Sequence, residues 1–546
     1  MIALKRFLTT RNILIAVLVL GAVLRFWGIN SAEIFHDEGL YAFRSIGYFD
    51  YIQNQDQTQP VQWFKDLKEM PFWTNLSFHD APPLFFLTQH LSFNVFGENL
   101  FAARLPSVLA GIILIYLIFL TVKVILRDEK MALLAAFFAS INHAMVWISR
   151  SSLMESVLFC LVAFNFYAFL KIIGEEKQGK WWWIFGVSLG LCFLTKYTAV
   201  FLIPAYALYI LFFEAKILRE WRFYAGSFLA FLIFLPVIIY NIYLYKSTGH
   251  FDLQIAYALG QKTPEWQASI GKIQEPFNNF VSNLLSIFTI SSLFAFLGAV
   301  ALSAWLLVKK QNNLAILGWL AAVFMILMFI LTGTAFRFVA LFSLPLVITT
   351  ILAFSYLKEK FDKSVILKVL LAVFLAYELF FTVGGLFFEF PDYGVVKLDK
   401  YFDETFGDVR SAAMPNSPNP HLEKVIKDNL VNYKASTTSF MVVFDENIIL
   451  STKLWVFARR NFYHGIPAIA TGQFKNFLQT AGESYFKGYD IYFVKASPYT
   501  AINPNIDVPE AGILENFLRT SMKLNPIKII YDRQNIPMYF VYKFTL

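Results

Sequence analysis

Two adjacent carboxylates follow an imidazole in His36-Asp37-Glu38, just after the first apolar run of this chain. From Asp37 onward the spacing predicts a short amphipathic helix, with Asp37, Tyr41, Arg44 and Tyr48 at i, i+4, i+7 and i+11 on one face. An acid, a guanidinium and two phenols on one stripe are suited to taking a proton and holding a polar substrate. The plainer reading is that Asp37 caps the helix, its side-chain oxygen accepting from the first free amides. Further ionisable residues, His79, Asp80, Arg104, Arg150, Glu155, Lys196 and Arg337, fall at or beside the ends of other apolar runs. Charges within membrane helices are costly and mark function by default. Each also has a simpler explanation: Arg150 and Lys196 can snorkel, His79-Asp80 can cap a helix starting at Pro82, and Arg104 can anchor a span.

The elements that must position these groups are membrane helices. The 546 residues are 57% hydrophobic and 15% charged, against roughly 45–50% and 25% in soluble domains, and the mean hydropathy is +0.55. A net charge of +8 could suit nucleic acid, but Lys and Arg cluster between apolar runs, as orientation signals do, so nucleic acid is set aside as a partner. Cys160 and Cys192 lie within apolar runs and offer neither a disulfide framework nor a zinc motif. The first run, Ile13 to Trp27, lacks a small-residue cleavage site and reads as a retained span rather than a signal peptide.

With about 20 apolar residues per crossing, eleven spans are predicted near 11–29, 105–125, 131–149, 153–172, 181–196, 198–214, 223–244, 280–307, 314–333, 338–356 and 366–388. The connecting loops alternate between Lys/Arg clusters, such as Lys123, Arg127 and Lys130 or Lys358, Lys360 and Lys363, and loops with single basic residues at Arg150, Lys196 and Arg337. The positive-inside rule then puts the N-terminus in the cytoplasm and the C-terminus outside, in the plasma membrane. Under this topology Asp37, His79, Asp80, Arg104, Arg150, Glu155, Lys196 and Arg337 all lie at the outer face.

Residues 1–388 read as the membrane domain and 389–546 as a soluble extracytoplasmic α/β domain with strands such as Phe440–Phe444 and Ile491–Val494. The first outer loop, 30–104, holds the acidic helix, a Gln-rich insert from Gln53 to Gln62 and an interfacial helix from Pro82 to Phe96. A second, 245–279, carries His250 and Asp252 and can act as a lid. There is no internal repeat.

The ordered set Asp37-Glu38, Ala81-Pro82-Pro83-Leu84, Phe96-Gly97, Ala103-Arg104-Leu105-Pro106-Ser107, Arg150 with Glu155, Leu194-Thr195-Lys196-Tyr197 and Arg337 before Pro345 resembles the GT-C fold glycosyltransferases that use polyprenyl-phosphate sugars, such as protein O-mannosyltransferases and aminoarabinose transferases. The resemblance spans roughly residues 10–350 and implies a multi-pass α-helical enzyme. Such an enzyme moves a sugar from a polyprenyl-phosphate donor to a lipid, glycan or protein acceptor at the outer face, with inversion. It assigns Asp37 as general base, with Glu38 as the alternative, and Glu155 to a second acidic position that is usually Asp. Lys196, Arg337, Arg104 and Arg150 become candidate ligands of the donor phosphate, and His79, Asp80, Tyr41 and Tyr197 candidate substrate contacts. Some relatives carry a basic residue where this chain has Ala81. No cofactor is expected; His36, His79 and Asp80 are weak candidates for a divalent metal, at a spacing that fits no metal motif. The competing reading is a transporter or lipid-linked sugar flippase, which would place polar groups at the bilayer midplane and show related halves.

Overall fold

The computed structural model describes residues 9–34, 37–47, 81–174, 179–261, 277–308, 314–332, 335–361, 364–387, 392–412, 427, 430–502 and 509–546. The chain divides into two compact units, one of Met1–Ile29 with Tyr48–Glu389, the other of Asn30–Gly47 with Phe390–Leu546. Two stretches near the N-terminus therefore part company: α1 (Thr10–Phe26) belongs to the first unit and α2 (Asp37–Gly47) to the second.

The first unit is helical. The half-apolar stretch expected at the interface forms α3 (Leu84–Phe96). It is followed by α4 (Leu100–Leu126), α5 (Glu129–Ile141), α6 (His143–Arg150), α7 (Met154–Ile173) and α8 (Lys180–Thr195). Then come α9 (Leu202–Phe213), α10 (Trp221–Thr248), the short α11 (Leu253–Ala258), α12 (Phe277–Ile287), α13 (Ile290–Val308), α14 (Leu314–Thr332), α15 (Ser343–Lys360) and α16 (Val365–Phe387). Caps set the boundaries: Asn99 accepts from the Ala102 amide at 2.9 Å to start α4, and Arg127, in the left-handed region at φ 54°, ends it. Gly186 of α8 lies against the Gly226 backbone of α10 so closely that a Cβ would not fit, the small-residue contact by which membrane helices approach one another.

Among the described residues six helices are long and apolar enough to cross a membrane, or seven if the α5–α6 pair, bent by 55° at Asn142, is one span. Each predicted span overlaps a helix, with two differences. The span expected at 280–307 is broken at residues 288–289 into α12 and α13, and that expected at 338–356 is preceded by a helical turn, Phe336–Val339. Large apolar side chains such as Phe228, Phe294 and Val365 remain exposed, as lipid-facing residues would be.

The second unit is α/β. A short parallel pair, β1 (Val409–Arg410) and β2 (Lys434–Ala435), stands apart from a five-stranded sheet ordered β4-β3-β5-β7-β6. The sheet comprises β3 (Phe440–Phe444), β4 (Ala468–Ala470), β5 (Asp490–Ala496), β6 (Lys528–Tyr531) and β7 (Pro537–Phe544). The β4-β3-β5 pairings are parallel and β5-β7-β6 antiparallel. Phe440 to Val443 are buried in succession because both sheet faces are covered. On one face α17 (Val395–Phe406) packs Val395, Leu398 and Phe402 against Val442 and Val494. The sequence places residues 30–47 with the membrane domain by chain position alone; in the structure they pack with this unit, because α2 buries Tyr41, Phe43 and Ile46 there.

Candidate active site

In the first unit, three distant helix ends bring Glu155, Lys196 and Arg337 together. Glu155 is the second residue of α7, where the helix dipole favours a carboxylate, and it is fully buried. Lys196 follows the last residue of α8 in extended backbone, and Arg337 sits in the turn before α15. The Lys196 ammonium is hydrogen-bonded to Glu155 Oε1, and Arg337 Nε lies 3.7 Å from the same oxygen. Both cations stand over the Phe338 ring, at 4.3 and 4.9 Å from its centre. Glu155 Oε2 is buried and has no hydrogen-bond partner among the described residues. Two cations thus meet one oxygen of Glu155. The Lys196 and Arg337 side chains keep 12% and 21% of their surface open, so the cluster can receive a second anion.

An apolar cavity of about 300 Å³ lies in the same unit, lined by residues such as Val162, Phe201, Leu297, Leu341 and Phe342. Leu341 and Phe342 come one turn after Phe338, and Phe201 follows Lys196 by five residues.

Next to Lys196, the Tyr197 hydroxyl donates to Asp252 Oδ2 at 2.6 Å, and Asn241 Nδ2 donates to the same oxygen at 2.8 Å. The Gln254 and Ile255 amides cap onto Oδ1, so Asp252 both starts α11 and ties it to α10. Burial pushes the Asp252 carboxyl up to about 6 despite these donors. Tyr197, expected to touch substrate, here holds the predicted lid loop.

Arg104 and Arg150 each bond backbone carbonyls at the C-terminal end of α1. Arg104 Nη1 donates to the Ile29 carbonyl at 2.6 Å, and Arg150 Nη1 to those of Leu24 and Trp27 at 2.8 and 2.7 Å, closing the C-terminal turn of α1. This is the anchoring role that the sequence left open beside phosphate binding. Gln89 and Ser92 of α3 bond the Ala103 and Ala102 carbonyls of α4, and Ser156 bonds that of Ser107, so the start of α7 is fixed laterally as well.

In the second unit Asp37 begins α2 and is half-buried, whereas Glu38 and Tyr41 are buried and Arg44 is completely enclosed. Of the two adjacent acids, Asp37 is thus the one with an open face. His36, His79 and Asp80 lie outside the described residues, as do Tyr48 and the Gln-rich insert. Among the described residues no group of three or more His, Cys, Asp or Glu could hold a metal.

Among the buried acids that the sequence did not single out is one within a membrane helix. Glu378, well inside α16, accepts at Oε1 from Thr289, Ser291 (3.1 Å) and Ser292 (2.6 Å) at the break between α12 and α13. A lone carboxylate in an apolar run was the available signal.

Residues 80–240 match the family described as dolichyl-phosphate-mannose-protein mannosyltransferase. The matched segment contains Glu155 and Lys196. Dolichyl-phosphate-mannose–protein mannosyltransferase 4 of Candida albicans is 30% identical over 164 residues, which are 28% of this chain and 22% of that protein. The chain therefore spans about a fifth of the curated relative it matches. The crystal structure of ArnT from Cupriavidus metallidurans in the apo state superposes over 97% of both chains with a TM-score of 0.55 at 11% identity, and the form bound to undecaprenyl phosphate with 0.54. The chain shares the multi-pass helical GT-C fold of these proteins.

Proposed function

We propose that this chain is an integral-membrane glycosyltransferase that moves a sugar from a polyprenyl-phosphate donor to an acceptor hydroxyl, with inversion at the anomeric carbon. The observation that carries the reading is the Glu155–Lys196–Arg337 cluster over Phe338, two partly open cations meeting one buried carboxylate. Transfer forms one bond from the acceptor oxygen to the anomeric carbon and breaks that carbon's bond to the phosphate oxygen. The acceptor proton goes to a carboxylate and the bonding pair leaves with the phosphate. Lys196 and Arg337 stabilise the phosphate charge as it develops, and Glu155 keeps the two cations together. Asp37, by its position in the motif and its exposure, is the base, with Glu38 the alternative. The acceptor, whether lipid, glycan or protein, is not specified by these residues.

The purified protein should consume one member of a panel of polyprenyl-phosphate sugars. Asp37→Asn should reduce transfer by roughly 10² to 10⁴ without loss of membrane insertion; activity within a few-fold of wild type would return Asp37 to helix capping. Eleven spans in the plasma membrane, an internal N-terminus and an external C-terminal domain complete the proposal. In a cysteine-free background, Thr480→Cys should react with an impermeant reagent from outside and Lys216→Cys should not.

Glu378 beneath a helix break is the one observation that favours a transporter or flippase instead. Translocation of lipid-linked sugar in vesicles, without acceptor modification, would establish that reading.

A further inference from the structure

The helix that carries Asp37 is held by the C-terminal part of the chain at its entry, middle and exit. Before the helix, the Glu33 carboxylate accepts from the Val395 and Val396 amides, at 3.2 and 3.3 Å, at the N-terminus of α17. Within it, Gly39 lies against Ser451, where a Cβ would stand 3.2 Å from Cα and 3.3 Å from the carbonyl oxygen. At its end, the Tyr463 hydroxyl donates to the Phe43 carbonyl at 3.0 Å and accepts from the Gly47 amide at 3.1 Å, while its ring packs on Phe43.

These fastenings are tied to one another. Ser451 leads into a π-helical turn, Thr452–Ala458, a rare element that is over-represented at functional sites. Its Trp455 donates to Asp399 of α17, and so do Arg459 and Arg460 of α18 (Arg459–Tyr463), at 2.9, 2.7 and 2.6 Å. The same short helix ends in Tyr463. From Glu33 through α17, Asp399, Arg459 and Tyr463 to Phe43 runs a continuous path of contacts that α2 itself closes.

We infer that the C-terminal unit is a clamp that fixes α2, with Glu33 and Tyr463 as positioning residues for Asp37. The inference rests on Asp37 being the base. A base must be held within a fraction of an ångström of its proton, and misplacement lowers turnover more than binding.

Tyr463→Phe removes both hydroxyl bonds and keeps the ring, and Glu33→Gln weakens the other end. Each should lower kcat about tenfold with the donor KM within twofold of wild type and with the folded fraction at the assay temperature unchanged, since the lost bonds act on the placement of α2. Gly39→Ala, which pushes α2 away from Ser451, should do the same. A fall in kcat matched by an equal fall in folded fraction, or kcat within twofold of wild type for both Tyr463→Phe and Glu33→Gln, would overturn the clamp. Asp37→Asn is measured alongside: if it retains turnover, the base assignment fails instead, whatever the other variants do.

Discussion

Asp399 of the second unit and Glu155 of the first are both buried carboxylates facing two cations, yet they are completed differently. Asp399 accepts from Arg459 and Arg460 on one oxygen and from the Trp455 indole on the other. Burial alone would push its carboxyl up, but the two guanidiniums hold it below the usual carboxylate range. Glu155 receives Lys196 and Arg337 on one oxygen, and its other oxygen has no partner among the described residues. Its cations also remain partly open. A saturated buried ion group is scaffold, because any change leaves a charge uncompensated. An incomplete one has capacity left for a ligand.

That contrast makes opposite demands of mutants. Asp399→Ala should cost about 3 to 5 kcal/mol of stability, since two guanidiniums are left buried without their partner; a thermal midpoint unchanged from wild type would show that the network holds nothing together. Lys196→Ala and Arg337→Ala should weaken donor affinity tenfold to a hundredfold, a charged hydrogen bond being worth about 1.5 to 3 kcal/mol, with little effect on the melting temperature. Variants that melted early yet bound donor normally would move these cations to the scaffold side.

The smallest effect is one of pH. Burial, with the neighbouring Asp392, pushes the Glu33 carboxyl up to about 7. A group whose pKa is raised on folding favours the fold at low pH and loses that contribution as pH rises. The contribution is full below the ordinary carboxylate range, near 4.5, and is gone once pH has passed about 7. Asp399 has the opposite sign and fails only on strong acidification. The melting temperature should therefore decline as pH rises from about 4.5 to about 7, and Glu33→Gln should flatten that decline. An identical slope in the variant would assign the pH dependence elsewhere.

Much of this was legible because the signals are local. Apolar runs locate helices without tertiary help, and Phe440–Phe444 reads as a strand from composition alone. What stayed hidden depends on distant partners. That Arg104 and Arg150 also bond the Ile29 and Trp27 carbonyls, just past α1, could not be read from their own positions. The break at 288–289 carries no proline or glycine, only Thr289, Ser291 and Ser292, which look like tolerable polar residues in a span until Glu378 is found among them. The membership of α2 in the second unit follows from contacts made more than 350 residues away, such as that from Glu33 to Val395.

That last separation also has a meaning in time. Phe43 and Tyr463, which share a hydrogen bond, are 420 residues apart. At synthesis rates of roughly 5 to 20 residues per second, α2 leaves the ribosome some 20 to 80 s before its partner does. Throughout that interval α2 lacks the Tyr463 contact that holds Phe43. On the role proposed for Asp37, a chain that stops before residue 463 would lack that fastening, and the base would be positioned only near the end of biosynthesis.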